Sequence, residues 1–257
     1  MRSAVSKGVL SLLLITSGFL AACHKPAHGS VAAPEASVSV TATTKPASTP
    51  RPSPSKVVKP KISQAALNYF FAVALGTGDG NRGNVVNRWT DELVAVRVHG
   101  FTDAGRSCLD KTIADFNALT RSNDLRLGDG PGDVEIYIAP ISKFKSIVPA
   151  YDYAEDDAAY YTTTWAGEHQ ISKATILIRS DRSTAAERCR LIRGELTEVM
   201  GLSEESAQHP DSIFYSEYSD APSRYSALDK AIIRLMYDGA IQPGDSRHAV
   251  EGKVTIG

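Results

Sequence analysis

With 257 residues, 42% of them hydrophobic, the chain is long enough for one compact domain with a sizeable core. Its 28 basic and 29 acidic residues leave a formal net charge of −1, which offers no general attraction to nucleic acid, and no stripe of basic and aromatic residues makes up for it.

The N-terminus reads as an export leader. Arg2 and Lys7 flank the start of an uncharged apolar stretch from Val9 to Ala22, too short for a comfortable membrane span, as in a secretory signal peptide over residues 1–22. The stretch ends Leu20-Ala21-Ala22-Cys23, which resembles a bacterial lipobox. That resemblance implies cleavage ahead of Cys23 and acylation of its thiol, making membrane lipid a partner at roughly 0.8 kcal/mol per buried CH₂. The alternative is an ordinary signal peptide with an incidental Cys. His24, where Asp would retain a Gram-negative lipoprotein at the inner membrane, implies the outer membrane or its periplasmic face.

Residues 23–61 read as a tether. From His24 to Lys61 the chain holds seven of its 13 prolines, with Ala, Ser, Thr and Val between them and Glu35 as the only acid. Too little apolar surface is present to offset the entropy of ordering. Its lysines and arginine suit either a solvated linker or contact with anionic wall or lipid phosphate.

A single domain is expected over residues 62–250, with 251–257 as a tail. Ser63 is a candidate N-cap for a helix from Ile62 to Leu75, followed by Gly76-Thr77-Gly78-Asp79-Gly80. That glycine cluster runs from helix into strand, the reverse of a phosphate-cradling loop, and reads as a turn. Leu93–His99 is a strand, Asp103–Arg121 an amphipathic helix, Val134–Ile138 a half-buried strand and Ser142–Val148 a short helix. Tyr160–Trp165 and Ala174–Ile178 follow as strands, the second nearly all apolar and so central, and the helices Ala185–Leu202 and Ser226–Tyr237 close the order. Asp152, Glu155, Asp156 and Asp157 lack calcium-loop spacing and read as a solvated loop, and the scattered histidines as structural or surface groups. Cys108 and Cys189, the cysteines beyond Cys23, form either a disulfide suited to an oxidising compartment or two buried thiols.

The helix Ala185–Leu202 carries the least ordinary residues. At about 100° per residue, Leu191, Ile192, Leu196, Val199, Met200 and Leu202 fill a wide apolar arc, with Glu195 inside it and Glu198 at its edge. Gly194 lies one turn before Glu198, and Arg190, Arg193 and Thr197 fall on the opposite side, expected to be solvated. A carboxylate inside an apolar arc must be paired, hydrogen-bonded or neutralised. One candidate partner for Glu195 is Arg188, two turns earlier.

The run Gly194-Glu195-Leu196-Thr197-Glu198-Val199-Met200-Gly201-Leu202, with Ser212-Ile213-Phe214-Tyr215 after it, resembles the H-E-x-x-H-x-x-G-x-x-H helix and Met-turn of metzincin metalloproteases. On that frame Gly194, Glu198 and Glu204 stand at the three ligand positions, Glu195 at the general base, Gly201 at the turn glycine and Phe214 at the Met. Leu228–Tyr237 resembles the C-terminal helix of those enzymes. A closer resemblance is to a bacterial domain family of unknown function that looks like a degenerate branch of that fold. Cys189, Glu195-Leu196-Thr197-Glu198, Gly201-Leu202, Ser212-Ile213-Phe214 and a helix ending Leu235-Met236-Tyr237 carry it. The resemblance implies an α/β (α+β), metzincin-like fold: a twisted mixed sheet packed with helices, a long motif helix, a Met-turn-like loop and a C-terminal helix.

The departures bear on chemistry. Zinc prefers nitrogen and sulfur donors, and no histidine lies between Gln170 and Gln208, so neither zinc nor another cofactor is expected. Glu198 and Glu204, assisted by Glu195, are at most candidates for a hard cation. Two functions remain. One is a membrane-anchored binding module whose old cleft holds an envelope protein, peptide or glycan through residues such as Glu198 and Glu204. The other is a peptidase-like hydrolase with Glu195 as general base and an atypical metal or none.

Overall fold

Ser63 opens the first helix as its position predicts. Its hydroxyl accepts from the Ala66 N–H at 3.2 Å, and α1 runs from Gln64 to Ala74 with Tyr69, Phe70, Phe71 and Val73 buried. The computed structural model describes residues 6–9, 59–75, 84–100, 103–152, 154–216 and 222–257. Cys23, the tether as far as residue 58 and the Gly76–Gly80 cluster lie outside the described residues, as does most of the expected leader, while Lys61 at the tether's expected end belongs to a strand. By contacts, residues 1–12 and 59–257 form one unit, which is the one described below, and 13–58 another.

A six-stranded sheet organises the unit. Its strands are β1 (Ser6–Val9), β3 (Leu93–His99), β4 (Asp124–Leu127), β5 (Val134–Ala139), β6 (Ala159–Trp165) and β7 (Ile171–Arg179), in the order β1-β6-β7-β5-β3-β4. β4, β3, β5 and β7 are parallel, β6 turns back antiparallel to β7, and β1 lies parallel to β6. β7 is interior, as its apolar run predicts. β4 is a strand that the sequence reading did not anticipate. Its four residues, Asp-Leu-Arg-Leu, bury little more than Leu125 and carry too short an alternation to stand out.

Helices cover one face. α2 (Asp103–Asn117) and α4 (Ala185–Glu198) pack on each other, and α1 packs on α5 (Ala227–Met236). Between these helices and the sheet sits the main core, from Val94, Val96, Val134, Ile136 and Ile176 to Phe116, Leu191, Met200 and Met236. On the opposite face a 3₁₀ turn (Ile141–Lys143) and α3 (Phe144–Ile147) cover a smaller cluster of Phe144, Val148, Tyr151, Tyr160 and Leu177.

The C-terminus is built into the fold. Residues 251–257, expected as a tail, carry the end of α6 (Arg247–Lys253) and β8 (Thr255–Ile256), which pairs with β2 (Lys61–Ile62). The Thr255 N–H donates to the Pro60 carbonyl at 2.9 Å, so the last segment clasps the one that leads into α1. In the acidic loop Asp152, Glu155 and Asp156 are exposed as expected, and Asp157 departs from expectation. Asp157 is fully buried, its Oδ2 accepting from the Tyr151 hydroxyl at 2.8 Å, because the small second cluster closes over it.

Two bonds position the motif helix. Arg88 is buried and distributes its donors over backbone carbonyls, Nη1 to Met236 at 2.7 Å and to Ile241 at 2.8 Å, with Nη2 to the Asn123 side chain at 2.7 Å. That fixes the neighbouring Trp89, whose indole N–H donates to the Val199 carbonyl at 2.9 Å at the end of α4. The disulfide Cys108–Cys189 ties α2 to α4 across 81 residues of sequence.

Candidate functional site

α4 begins at a capping box. The Thr184 hydroxyl accepts from the Glu187 N–H at 3.2 Å, and the Glu187 carboxylate accepts from the Thr184 N–H at 2.6 Å, which draws the Glu187 pKa down. The helix ends at Glu198 and the chain turns at Gly201, whose φ is +103°. A Cβ at Gly201 would lie 2.1 Å from the Asn87 carbonyl oxygen, so both backbone conformation and close approach demand glycine there. The last carbonyls, which no helical N–H reaches, receive the Trp89 indole at Val199 and the Tyr237 hydroxyl at Met200, 2.6 Å away.

The turn Ser212–Tyr215 hangs from the next helix. The Ser212 hydroxyl donates to Asp229 Oδ1 at 2.6 Å, the Ile213 N–H donates to Asp229 Oδ2 at 3.2 Å, and the Tyr69 hydroxyl donates to Ser212 Oγ at 2.6 Å. Asp229 also closes the Ser226 capping box that starts α5. Burial raises the Asp229 pKa despite these hydrogen bonds. Phe214, at the Met position of the resembled turn, is fully buried.

Glu195 and Glu198 are 2% and 3% exposed, and Glu204 is half-buried just past the helix, its N–H donating to the Val73 carbonyl at 2.9 Å. Gly194 is half-buried, and a Cβ built there meets no atom within 4 Å. The residue at the first ligand position of the resembled motif thus brings no side chain, and no packed neighbour fills the room beside it. The residues at the three ligand positions do not fit zinc, since they offer carboxylate oxygens and a glycine in place of imidazole nitrogens. Nor, among the described residues, do three His, Cys, Asp or Glu side chains converge as a metal site requires. Glu195, Glu198 and Glu204 therefore form no hard-cation cluster.

Two expectations for α4 are corrected. Arg188 does not pair with Glu195; its Nη1 donates back to the Ser183 carbonyl and hydroxyl at the start of the helix. Arg193 and Thr197 are not solvated, because α2 and the segment before α5 cover that side. Arg193, 2% exposed, donates to Asp115 at 2.8 Å and lies over the Tyr225 ring at 4.7 Å. Burial raises the Asp115 pKa, but hydrogen bonds from Lys111 and Arg193 outweigh it and hold the carboxyl below its usual range. Burial pushes the Tyr225 hydroxyl up to about 12, and that oxygen meets Thr197 Oγ1 at 2.8 Å. The signal missed in the sequence was Arg193 facing a partner on α2, a contact that no single-helix wheel shows. Among the histidines, His99 Nε2 and Glu135 Oε2 lie 2.6 Å apart on the other sheet face, and His169 meets Asn87.

No curated protein matches the chain in sequence. Two solved structures of myroilysin are similar to it, one at 13% identity over 63% of this chain and 87% of the other with a TM-score of 0.38. The second stands at 11% identity over 59% and 86%, with a TM-score of 0.39. A family model described as protein of unknown function (DUF2927) matches residues 63–255, three quarters of the sequence, and the chain belongs to that family.

Proposed function

We propose that the chain is an exported, lipid-anchored binding module of the cell envelope, a metzincin-like domain that holds an extended peptide or a similar envelope component without cutting it. The observation that carries this reading is the middle of α4. Gly194 weakens a helix interior by roughly 0.5–1 kcal/mol relative to Ala, yet no neighbouring atom requires its small size. The room beside this half-buried glycine suits an occupant that arrives from outside. β6 supports the same reading as the antiparallel strand along which Ser6–Val9 adds in parallel. Removal of a leader ahead of Cys23 takes that strand away and leaves β6 as an edge for strand addition.

The domain works without zinc in this account, and its partners are membrane lipid through Cys23 and an envelope protein, peptide or glycan. The disulfide fits an oxidising compartment. No described helix is long and apolar enough to cross a membrane. Mass spectrometry of the exported protein is expected to find an acylated N-terminal Cys23, and Cys23→Ser to release it from the membrane fraction.

Binding is tested with a labelled peptide of residues 2–12 titrated onto the chain beginning at Cys23. Saturable binding is expected; failure of the unaltered chain to bind would contradict strand addition at β6. The alternative, a hydrolase with Glu195 as general base, places its chemistry on the same face. Peptide cleavage that disappears in Glu195→Gln would establish it.

A further inference from the structure

The carboxyl ends of the central parallel strands carry a pocket that the motif helix does not account for. β3 and β5 are neighbours, but β3 leaves the sheet through α2 on the helical face and β5 through α3 on the opposite face. Where adjacent parallel strands send their connections apart, a crevice opens outside the strand ends, and small ligands bind in such crevices. Here it is a pocket of about 140 Å³ at Gly100, Ile138 and Ser180, walled by Gly105 of α2 and by Arg188 and Cys189 of α4. Gly100 has φ +81°, and a Cβ there would lie 2.4 Å from the Ile138 carbonyl oxygen, so the strand ends close up only because this residue is glycine. The disulfide holds the α2 and α4 walls together.

The pocket has one sign of charge. Among its described lining residues Arg188 is the only charged group and Ser180 supplies the only hydroxyl, while the remaining walls are glycine, aliphatic groups and the disulfide. Arg188 uses Nη1 on Ser183, and its Nε and Nη2 make no hydrogen bond among the described residues. Thr184 already takes the Glu187 N–H, so recognition of charge falls to the guanidinium rather than to the helix end. We propose that this pocket binds a small organic anion, with a carboxylate or phosphate group on Arg188 and Ser180 and an apolar body against Ile138 and Ile192. A guanidinium fork suits either oxyanion, and the apolar walls add contact for a ligand with a short carbon skeleton.

Thermal unfolding of the full chain tests this, with phosphate, acetate or acetamide titrated at an ionic strength held constant with sodium chloride. A saturable rise in the midpoint is expected with phosphate or acetate and none with acetamide. Phosphate acting alone identifies a phosphate ester as the ligand class, and acetate acting alone a carboxylate. Arg188→Gln, at a half-buried position, is expected to weaken the apparent affinity at least about tenfold, the loss of one charge-assisted hydrogen bond. Ser180→Leu, which fills the pocket without touching the charge, is expected to abolish the rise. No rise with either anion, an equal rise with acetamide, or a rise that survives both substitutions would overturn the proposal.

Discussion

At the scale of single residues, Gly194 and Asp157 make opposite demands. Gly194 sits in a helix with room for a side chain, so Gly194→Ala is expected to raise stability by roughly 0.5–1 kcal/mol, read by chemical denaturation. A loss of stability would mean that α4 needs glycine for packing. Asp157 is buried, and burial is the main reason its pKa is raised, with the Tyr151 hydroxyl and Arg179 acting in the other direction. A carboxyl whose folded pKa exceeds its unfolded value binds its proton more tightly in the folded state. Its contribution is then fully present below the unfolded value near 4 and is lost as pH rises through the folded one. Asp157→Asn keeps an acceptor for Tyr151 and removes the charge. Relative to the unaltered chain, its stability is therefore expected to improve from pH 4 to pH 7, and a difference that is flat or falls with pH would contradict this origin. Asp229 shares the direction of shift, but its two oxygens accept from Ser212, Ile213 and Ser226, so its substitution would also break the turn and the α5 cap.

At the scale of elements, the motif helix is held from both ends and from the side. Its start is capped by Thr184, its last carbonyls take hydrogen bonds from Trp89 and Tyr237, and Cys189 binds it to α2. Closing a loop of 81 residues is worth about 4–5 kcal/mol in the chain-entropy model, so Cys189→Ser is expected to lower the unfolding free energy by up to that amount. A change under about 1 kcal/mol would show that α2 and α4 pack without the bond. These elements were also the most legible in the sequence. Ser63 as a cap, Gly201 as a turn glycine and Tyr237 at the end of α5 each follow from local chemistry that acts within a few residues or from a motif that preserves it. What was not legible depends on tertiary cover. Arg193 and Thr197 are buried by α2 and Tyr225, Asp157 is buried by the second cluster, and residues 255–256 form a strand only by pairing with β2. No periodicity within one segment records a partner that lies 78 residues away, as Asp115 does from Arg193.

At the scale of the whole molecule, contacts from Trp89, Tyr237 and the disulfide fix the motif helix, and its positions 194, 198 and 204 carry a glycine and two carboxylates. The Ser212–Asp229–Tyr69 network fixes the Ser212–Tyr215 turn, Phe214 is buried, and Gly201 lets the chain turn at the end of α4. The candidate site was legible as a set of positions, but the sequence left open whether Glu195 was served by Arg188, and the structure removes that pairing. The most direct test of a binding module without catalysis is to incubate the mature chain and its Glu195→Gln variant with a broad peptide library, with and without zinc, and to read new termini by mass spectrometry. The account predicts the same termini from both proteins and from a protein-free control. Reproducible cleavage by the unaltered chain that disappears in Glu195→Gln would contradict it.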